Sequence, residues 1–166
     1  MTFEQFVQNH LRSLLRMATA MSMKPALAED LVQDVLIKVM RRWDHVKTRD
    51  DPEMYVRRML VNEYISWRRK WARIVPRADV LIDDDRPDPA AAHAERADLV
   101  SRLATLPRRQ RVVLALRYFE DMDDAAIANI LGCRPGTVRG YASRALATLR
   151  DAAADENHAL DGGPLS

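Results

Sequence analysis

The segment most diagnostic of the architecture of this chain is Ala125-Ala126-Ile127-Ala128-Asn129-Ile130-Leu131-Gly132-Cys133-Arg134-Pro135-Gly136-Thr137-Val138-Arg139. Its spacing is typical of a helix-turn-helix, with the small Ala128 where two helices would cross, Gly132 in the turn and Val138 ten residues after Ala128. A close crossing requires a small side chain, and a sharp turn favours glycine because glycine readily adopts positive φ. The segment therefore predicts one helix over residues 125–131 and a second over residues 135–153.

The second of these helices carries side chains that could read DNA. No acidic residue lies between Arg134 and Arg150, and the amino end of such a helix can enter the major groove, where arginine pairs with guanine. Any helical hairpin with a glycine turn shares this spacing, but the acid-free arginine helix favours DNA binding. The outward-facing candidates are Arg134, Thr137, Arg139, Tyr141, Ser143 and Arg144.

The charge of the whole chain is nearly balanced but strongly segregated. In 166 residues, 26 Lys and Arg oppose 24 Asp and Glu, for a formal net charge of +2. Residues 57–77 carry a local charge of +6 and residues 79–98 carry −5, while residues 102–117 and 134–150 contain arginines and no acid. Such blocks are either solvated faces or cationic surfaces for a polyanion such as nucleic acid.

The composition excludes several classes of protein. With 48% hydrophobic and 30% charged residues, the chain is too apolar to be disordered and too charged for a membrane bundle. No apolar run is long enough to span a bilayer, so we expect no membrane insertion, and the single Cys133 suits a reducing cytoplasm. The sequence shows no metal-ligand spacing, phosphate loop or nucleophile elbow, so we expect no catalytic site, no metal and no cofactor.

Helical periodicity divides the chain into two parts. In the first part we predict helices over residues 3–21, 26–43 and 53–73, with a break at Met23-Lys24-Pro25 and an N-cap at Asp50 or Asp51. The apolar face of the first helix consists of Phe3, Val7, Leu11, Leu14, Ala18 and Met21. In the second part, helices over residues 90–105 and 108–119 precede the helix-turn-helix, with Tyr118 or Phe119 buried.

The predicted fold class is all-α, with two small helical domains joined by a flexible acidic linker. Prolines and like charges over residues 74–92 are typical of an exposed linker rather than of a packed segment. The domains are predicted at residues 1–73 and 93–155, the second being a four-helix domain, and residues 156–166 are predicted to be a disordered tail.

Two further surfaces in the first part could bind partners. The polar stripe of the second helix lies opposite a Leu and Val face, and it is either a solvated face or a docking surface. This polar stripe consists of Asp30, Gln33, Asp34, Ile37, Lys38 and Arg41.

The third helix interleaves aromatic and basic residues, which suits the stacking of unpaired bases, although one of its two Trp is expected in the core. This basic–aromatic block consists of Tyr64, Trp67, Arg68, Arg69, Lys70 and Trp71, and Asn62 precedes it.

Four motifs, taken in order, resemble the extracytoplasmic-function (ECF) RNA polymerase sigma factors of the bacterial sigma-70 family. The first is Ala28-Glu29-Asp30-Leu31-Val32-Gln33-Asp34-Val35-Leu36-Ile37-Lys38-Val39, and the second is Tyr55-Val56-Arg57-Arg58-Met59-Leu60-Val61-Asn62. The third is Leu106-Pro107-Arg108-Arg109-Gln110-Arg111-Val112-Val113-Leu114, and the fourth is Gly136-Thr137-Val138-Arg139. The resemblance covers residues 3–153, and a variable linker stands in the expected place.

The resemblance implies a role for each surface. The polar stripe would dock on the β′ clamp of core RNA polymerase, and the β flap would provide a second contact. Asn62 would capture an extruded base of the −10 promoter element, which the basic–aromatic block would melt and hold. On the last helix, Arg139, Ser143 and Arg144 would read the −35 element, with Arg134, Thr137 and Tyr141 nearer the phosphates. Gly140 and Tyr141 depart from the usual family pattern, which leaves the −35 sequence open.

The function that these roles imply is promoter recognition, DNA melting and transcription initiation by a noncatalytic cytoplasmic protein. Core RNA polymerase and promoter DNA are the expected partners, and the family also admits an anti-sigma factor, although no residue identifies one. Two alternatives are a stand-alone helix-turn-helix regulator that binds DNA as a dimer and a helical adaptor for acidic proteins. The polar stripe favours the sigma factor, because a stand-alone regulator does not need it.

Overall fold

A computed structural model describes the backbone of residues 1–74 and 101–161 and the side chains of residues 1–67 and 101–158. Within these ranges the regular elements are helices: α1 (Phe3–Ser22), α2 (Pro25–Arg41), α3 (Trp43–Val46), α4 (Pro52–Ile74), α5 (Arg108–Leu114), a π-helix (Ala115–Phe119), α6 (Asp124–Leu131) and α7 (Pro135–Asp161). The predicted all-α class is confirmed. Most of the predicted linker, the start of the predicted helix over residues 90–105, and the chain after Asp161 lie outside the described residues.

Local signals fix both ends of α1. The Thr2 hydroxyl accepts a hydrogen bond from the Gln5 backbone N–H at 3.2 Å, and the Gln5 side-chain oxygen accepts one from the Thr2 backbone N–H at 2.9 Å. This reciprocal capping box satisfies two amide groups that a helix start leaves unpaired. Met23 ends the helix in the left-handed conformation, at φ 60°, and Pro25 begins α2. The predicted break between the first two helices is confirmed.

The starts of α4 and α6 follow the same chemistry. Of the two predicted N-cap candidates for α4, Asp51 is the one that caps, because its carboxylate accepts from the Met54 N–H at 2.9 Å. Asp123 caps α6 by accepting from the Ala126 N–H at 2.8 Å. Gly132 ends α6 at φ 66°, as predicted, in a conformation that glycine adopts without steric cost.

The structure differs from the sequence prediction in the helix that was expected over residues 108–119. At Ala115 the α-helix widens into a π-helix, and the Glu120 N–H donates to the Ala115 carbonyl at 3.3 Å. The wider turn shifts the register of the following side chains, so Tyr118 and Phe119 are 57% and 58% exposed. The expectation that one of these two aromatic residues is buried was wrong.

Two helix ends also differ from the prediction. α2 ends at Arg41, and Trp43 instead begins the short α3, where its ring packs against the rings of Phe3 and Phe6. α7 continues to Asp161, so the expectation of a disordered tail from residue 156 was wrong for residues 156–161. Strong helix formers occupy residues 152–154 and 156, and Glu156 forms an ion pair with Arg102, which together favour the extension.

The buried core runs without interruption from the N-terminal helices (α1–α4) into the C-terminal helices (α5–α7 with the π-helix). Leu14 and Met17 of α1, Leu60 of α4, Leu116 of the π-helix and Ile127 of α6 are all fully buried members of this core. α1 packs against the π-helix, and α4 packs against α6. The two parts of the chain therefore bury apolar surface against each other as well as within themselves.

Candidate nucleic-acid and partner interfaces

The helix-turn-helix is formed by α6, the turn at Gly132 and α7. Ala128 is buried at the crossing, and its carbonyl accepts a hydrogen bond from the Cys133 N–H at 3.1 Å. Val138 is fully buried and attaches α7 to the core, as its spacing from Ala128 predicts. The buried contact fixes which face of α7 points away from the protein.

The outward face of α7 carries the predicted DNA-contacting residues. Five of the six are exposed in the structure, and Tyr141 is half-buried with the Arg144 guanidinium 5.3 Å from its ring centroid. This contact holds Arg144 near the amino half of the helix, where it can meet either a base edge or a phosphate. The exposed five are Arg134, Thr137, Arg139, Ser143 and Arg144.

A network centred on Asp124 orients the same face, and sequence reasoning missed it. The Arg117 guanidinium donates to one carboxylate oxygen of Asp124, and an Arg139 guanidinium nitrogen lies 3.7 Å from the other. The hydrogen bond to Asp124 is the main cause that raises the pKa of Arg117 above its ordinary value. The acidic cluster at residues 120–124 was a signal for this network, but sequence alone did not show its partners.

The polar stripe of α2 is mostly open to solvent. Asp30, Gln33, Asp34 and Arg41 are exposed, and Ile37 is 38% exposed despite its apolar side chain. Lys38 is the exception, because its ammonium lies 2.6 Å from the Glu63 carboxylate of α4 and is partly covered. Lys38 therefore joins α2 to α4, and its docking role stays a prediction.

An apolar groove of about 340 Å³ adjoins the polar stripe between α1 and α2. Its lining includes Phe3, Val7 and Leu11, which the periodicity of α1 placed on its apolar face. The structure instead leaves these three half-buried and buries Phe6 and Met17 completely. Part of the apolar face of α1 is thus buried in the core, and the rest of it lines the groove.

The residues predicted for the −10 element separate into three groups. Asn62 is exposed, as base capture requires. Tyr64 is only 1% exposed, so its predicted place on a DNA-contacting face was wrong: it follows Leu60 by four residues and therefore shares the buried face of α4. Trp67 is half-buried, whereas the side chains of Arg68, Arg69, Lys70 and Trp71 lie outside the described residues.

Other kinds of site find little support in the part of the chain that the structure describes. No group of His, Cys, Asp or Glu side chains there is placed to hold a metal ion. None of the described helices combines the length and the apolar character needed to cross a membrane. The described surfaces that stand out are therefore α7, the polar stripe with its groove, and the exposed part of α4.

Comparison with known proteins assigns the chain to a family. Residues 6–74 match the family model for sigma-70 region 2, and residues 96–149 match that for sigma-70 region 4. The chain is also 35% identical over 150 residues to an RNA polymerase sigma-E factor of Streptomyces avermitilis, covering 90% of this chain and 83% of that one. This chain is a sigma factor of the sigma-70 family. It directs transcription initiation, as the family does, and the curated relatives place it among the ECF sigma factors.

More distant relatives agree with this assignment. The ECF sigma factor SigE of Mycolicibacterium smegmatis is 29% identical over 159 residues, covering 90% of this chain and 61% of that protein. A solved structure of the sigma factor RpoE with the anti-sigma factor NepR, from Bartonella quintana, superposes with a TM-score of 0.67 at 25% identity, covering 90% and 94% of the two chains. A structure of CnrH with the cytosolic domain of CnrY shares the fold, with a TM-score of 0.60 at 24% identity over 92% and 88%.

Proposed function

We propose that this sigma factor reads the −35 promoter element with α7, captures unpaired −10 bases with α4, and docks on core RNA polymerase through the polar stripe. The observation that carries the proposal is the exposed arginine row of α7, fixed by the buried Val138 and by Asp124. Arg139 and Arg144 are the base-reading candidates, because arginine can donate two hydrogen bonds to guanine in the major groove.

The docking part of the proposal rests on the exposed residues of the polar stripe. Asp30 and Asp34 offer carboxylates, Arg41 offers a guanidinium, and Ile37 offers an apolar contact among them. A mixed surface of this kind provides charge complementarity around a small apolar centre, which is the usual composition of a specific protein interface. The β′ clamp of core polymerase is its proposed partner and the β flap the proposed partner of the C-terminal helices. Lys38 supports α4 through Glu63 in this scheme.

The −10 part of the proposal assigns base capture to Asn62. Its exposed amide can donate and accept hydrogen bonds at the edge of a base that has left the duplex. Unstacking a base costs a few kcal/mol, and the contacts made by the extruded base offset that cost. Binding energy thus drives strand opening, and we propose that the protein acts without catalytic chemistry of its own, in the cytoplasm.

An anti-sigma factor is a further proposed partner. One solved structure of this fold pairs the sigma factor RpoE with the anti-sigma factor NepR, and another pairs CnrH with the cytosolic domain of CnrY. The groove between α1 and α2 gives this chain an apolar surface beside a polar one, which suits an amphipathic helix.

The proposed function is tested by run-off transcription with core RNA polymerase on a pool of genomic promoters. We expect initiation at a subset of promoters, and no added initiation on any of them would contradict the proposal. On a promoter found this way, Asn62→Ala should reduce strand opening at least about tenfold, the equivalent of one lost base contact. The same variant should leave binding to the −35 duplex unchanged.

The matched control for Asn62→Ala is Asn9→Ala, which removes an exposed amide from α1 and should alter neither reaction. Permanganate reactivity of unpaired thymines measures opening, and a gel shift measures −35 binding. Equal losses in both assays would contradict the role of Asn62. Failure of the chain to co-purify with core polymerase would instead favour a stand-alone regulator.

A further inference from the structure

Glu63 stands out on α4 because it is an acid within a surface that we propose to bind DNA. Between Met54 and Ile74 it is the only acidic residue, whereas six residues of that stretch are Lys or Arg. It follows Asn62 directly and precedes Trp67 by four residues, which places it on the same face of the helix as Trp67. Glu63 therefore lies between the residue proposed to capture a −10 base and the first tryptophan of the basic–aromatic block.

A carboxylate at this position opposes the binding of a nucleic-acid strand. Every nucleotide of the strand contributes a negatively charged phosphate, and like charges repel. The Glu63 side chain is only 14% exposed, so water and salt screen its charge less than they would at the surface. Unless a cation compensates this carboxylate, it weakens the attraction that the basic residues of α4 provide.

Lys38 of α2 supplies a compensating charge. Its Nζ donates to Oε2 of Glu63 at 2.6 Å, a distance typical of a charge-assisted hydrogen bond. The two residues lie 25 positions apart and belong to different helices, so the pair forms only when α2 and α4 pack together. The net charge of the pair is zero, which leaves the attraction between α4 and the phosphates unopposed.

The packing of α2 against α4 holds the two charges in this arrangement. Val39 of α2 and Leu60 of α4 are fully buried, and the two helices contact each other directly. These buried residues set the orientation of both helices, while Asn62 remains exposed to solvent beside the ion pair. Lys38 can therefore influence a bound strand through Glu63 without touching the strand itself.

We propose that Lys38 is a positioning residue for −10 recognition, because it holds and neutralises the Glu63 carboxylate beside Asn62. This role rests on the proposed −10 function of α4. It is distinct from docking on core polymerase, because Glu63 belongs to α4 and is not part of the polar stripe. Removal of the Lys38 charge alone should therefore weaken strand binding, whereas removal of both charges should restore it.

The experiment uses holoenzyme assembled with wild type, Lys38→Met, Glu63→Gln or the double variant. Fluorescence anisotropy measures binding to a labelled single strand that carries the −10 sequence of a promoter found by run-off transcription. We expect Lys38→Met to weaken strand binding about five- to tenfold, because the Glu63 charge then repels the phosphates. Glu63→Gln should strengthen binding about twofold, and the double variant should bind within about twofold of wild type.

The salt dependence of binding separates charge compensation from a purely structural role. For a single strand, the slope of log affinity against log salt concentration changes by about 0.7 for each phosphate charge neutralised. We expect Lys38→Met to make the slope shallower by up to about 0.7 and the double variant to keep the slope of the wild type. A lysine that only held α2 against α4 would give the double variant the same loss as Lys38→Met.

The matched control is Lys47→Met, which removes the charge from an ion pair of the same 2.6 Å length at the end of α3. It should bind the strand as the wild type does. The affinity of each variant for core polymerase is measured separately, so that weaker docking is not mistaken for weaker −10 binding. If circular dichroism shows that Lys38→Met does not fold, Lys38→Gln replaces it, because glutamine keeps a hydrogen-bond donor for Glu63 without the charge.

Two results would overturn the role of Lys38 even though the wild-type holoenzyme binds the strand. In the first, Lys38→Met binds the strand as tightly as the wild type, which shows that Glu63 needs no compensation. In the second, the double variant binds as weakly as Lys38→Met, which shows that Lys38 does not act through the charge of Glu63. A wild-type holoenzyme that initiates transcription but does not bind the strand would instead overturn the −10 function of α4, and the role of Lys38 with it.

Discussion

The two regions that we propose to contact DNA differ in how they are held. The outward face of α7 is set by contacts within the C-terminal helices, namely the buried Val138 and the Asp124 network with Arg117 and Arg139. Its arginines at 134, 139 and 144 are exposed. The corresponding part of α4 depends on the other half of the chain, because Arg108 lies over Tyr64 and Trp67. The proposed DNA-contacting face of α7 is thus held in place within the C-terminal helices, whereas Trp67 of α4 lies under a residue from the other half of the chain.

This difference suggests an order of events. A face that is fixed by its own neighbours can bind duplex DNA as soon as it is free to approach. A face that is covered by another part of the chain becomes available only after a conformational change, and a binding partner supplies the free energy for that change. Substitutions in α6 and α7, and others outside them, can therefore test separately whether the face of α7 depends only on its own neighbours.

The largest expected effect comes from disrupting the buried attachment of α7 at Val138. Val138→Asn places an amide without partners at a fully buried position, which should cost about 2–4 kcal/mol of stability. We expect −35 duplex affinity to fall at least about tenfold, because α7 loses its anchor. Thermal unfolding and a gel shift measure the two effects.

The control for Val138→Asn is Thr148→Asn, which places the same amide at an exposed position of the same helix. It should change neither stability nor binding appreciably. If Thr148→Asn lowers −35 affinity as much as Val138→Asn does, then burial of Val138 is not what orders α7.

An intermediate effect is expected at Asp124, which orients Arg139 without contacting DNA in this account. Asp124→Asn keeps the size of the side chain but removes the charge that holds both Arg117 and Arg139. We expect −35 affinity to fall roughly three- to tenfold, equivalent to about 0.7–1.4 kcal/mol. Asp123→Asn is the matched control, because asparagine caps a helix as well as aspartate does. Unchanged affinity in Asp124→Asn would show that Arg139 needs no support from this carboxylate.

The smallest expected effect lies at Asp44, an exposed residue of α3. The hydrogen bond from the Lys47 side chain, followed by the charge of Lys47, lowers the pKa of Asp44 below its ordinary value of 3.8. A lowered pKa in the folded state contributes stability above that ordinary value, and this contribution is lost as the pH falls through the folded-state pKa. Since Asp44 is fully exposed, Asp44→Asn should lower the melting temperature at pH 7 only slightly.

A pH series of melting temperatures tests the Asp44 prediction, with the exposed Asp50→Asn as its control. The small difference between wild type and Asp44→Asn should disappear below pH 3.8. A difference that grows as the pH falls would have the wrong sign for a carboxylate with a lowered pKa.

Sequence reasoning succeeded where the determining interactions are local. The helix-turn-helix depends on Ala128, Gly132 and Val138, which lie within eleven consecutive residues, and the caps at Asp51 and Asp123 act over three. Propensity, capping and the conformational freedom of glycine are properties of such short segments, and they can be recognised without knowledge of the tertiary fold.

The errors arose where distant residues decide the environment of a side chain. Lys38 pairs with Glu63, 25 residues away, and Arg108 contacts Tyr64, 44 residues away. Helical periodicity predicted on which face of their helices Tyr64 and Lys38 lie. It could not predict which residues from other helices contact them. The π-helix at Ala115–Phe119 had no local signal either, and it leaves both Tyr118 and Phe119 exposed where one of them was expected to be buried.

The central claim is that α7 is prepared for DNA while Arg108 lies over Trp67 of α4. It is tested most directly by measuring two affinities in two states. The sigma factor, free or bound to core RNA polymerase, is titrated with a −35 duplex and with a −10 single strand from one of its promoters. We predict that core polymerase raises the −10 affinity at least about tenfold and changes the −35 affinity by less than about threefold. Equal changes in the two affinities would contradict the account.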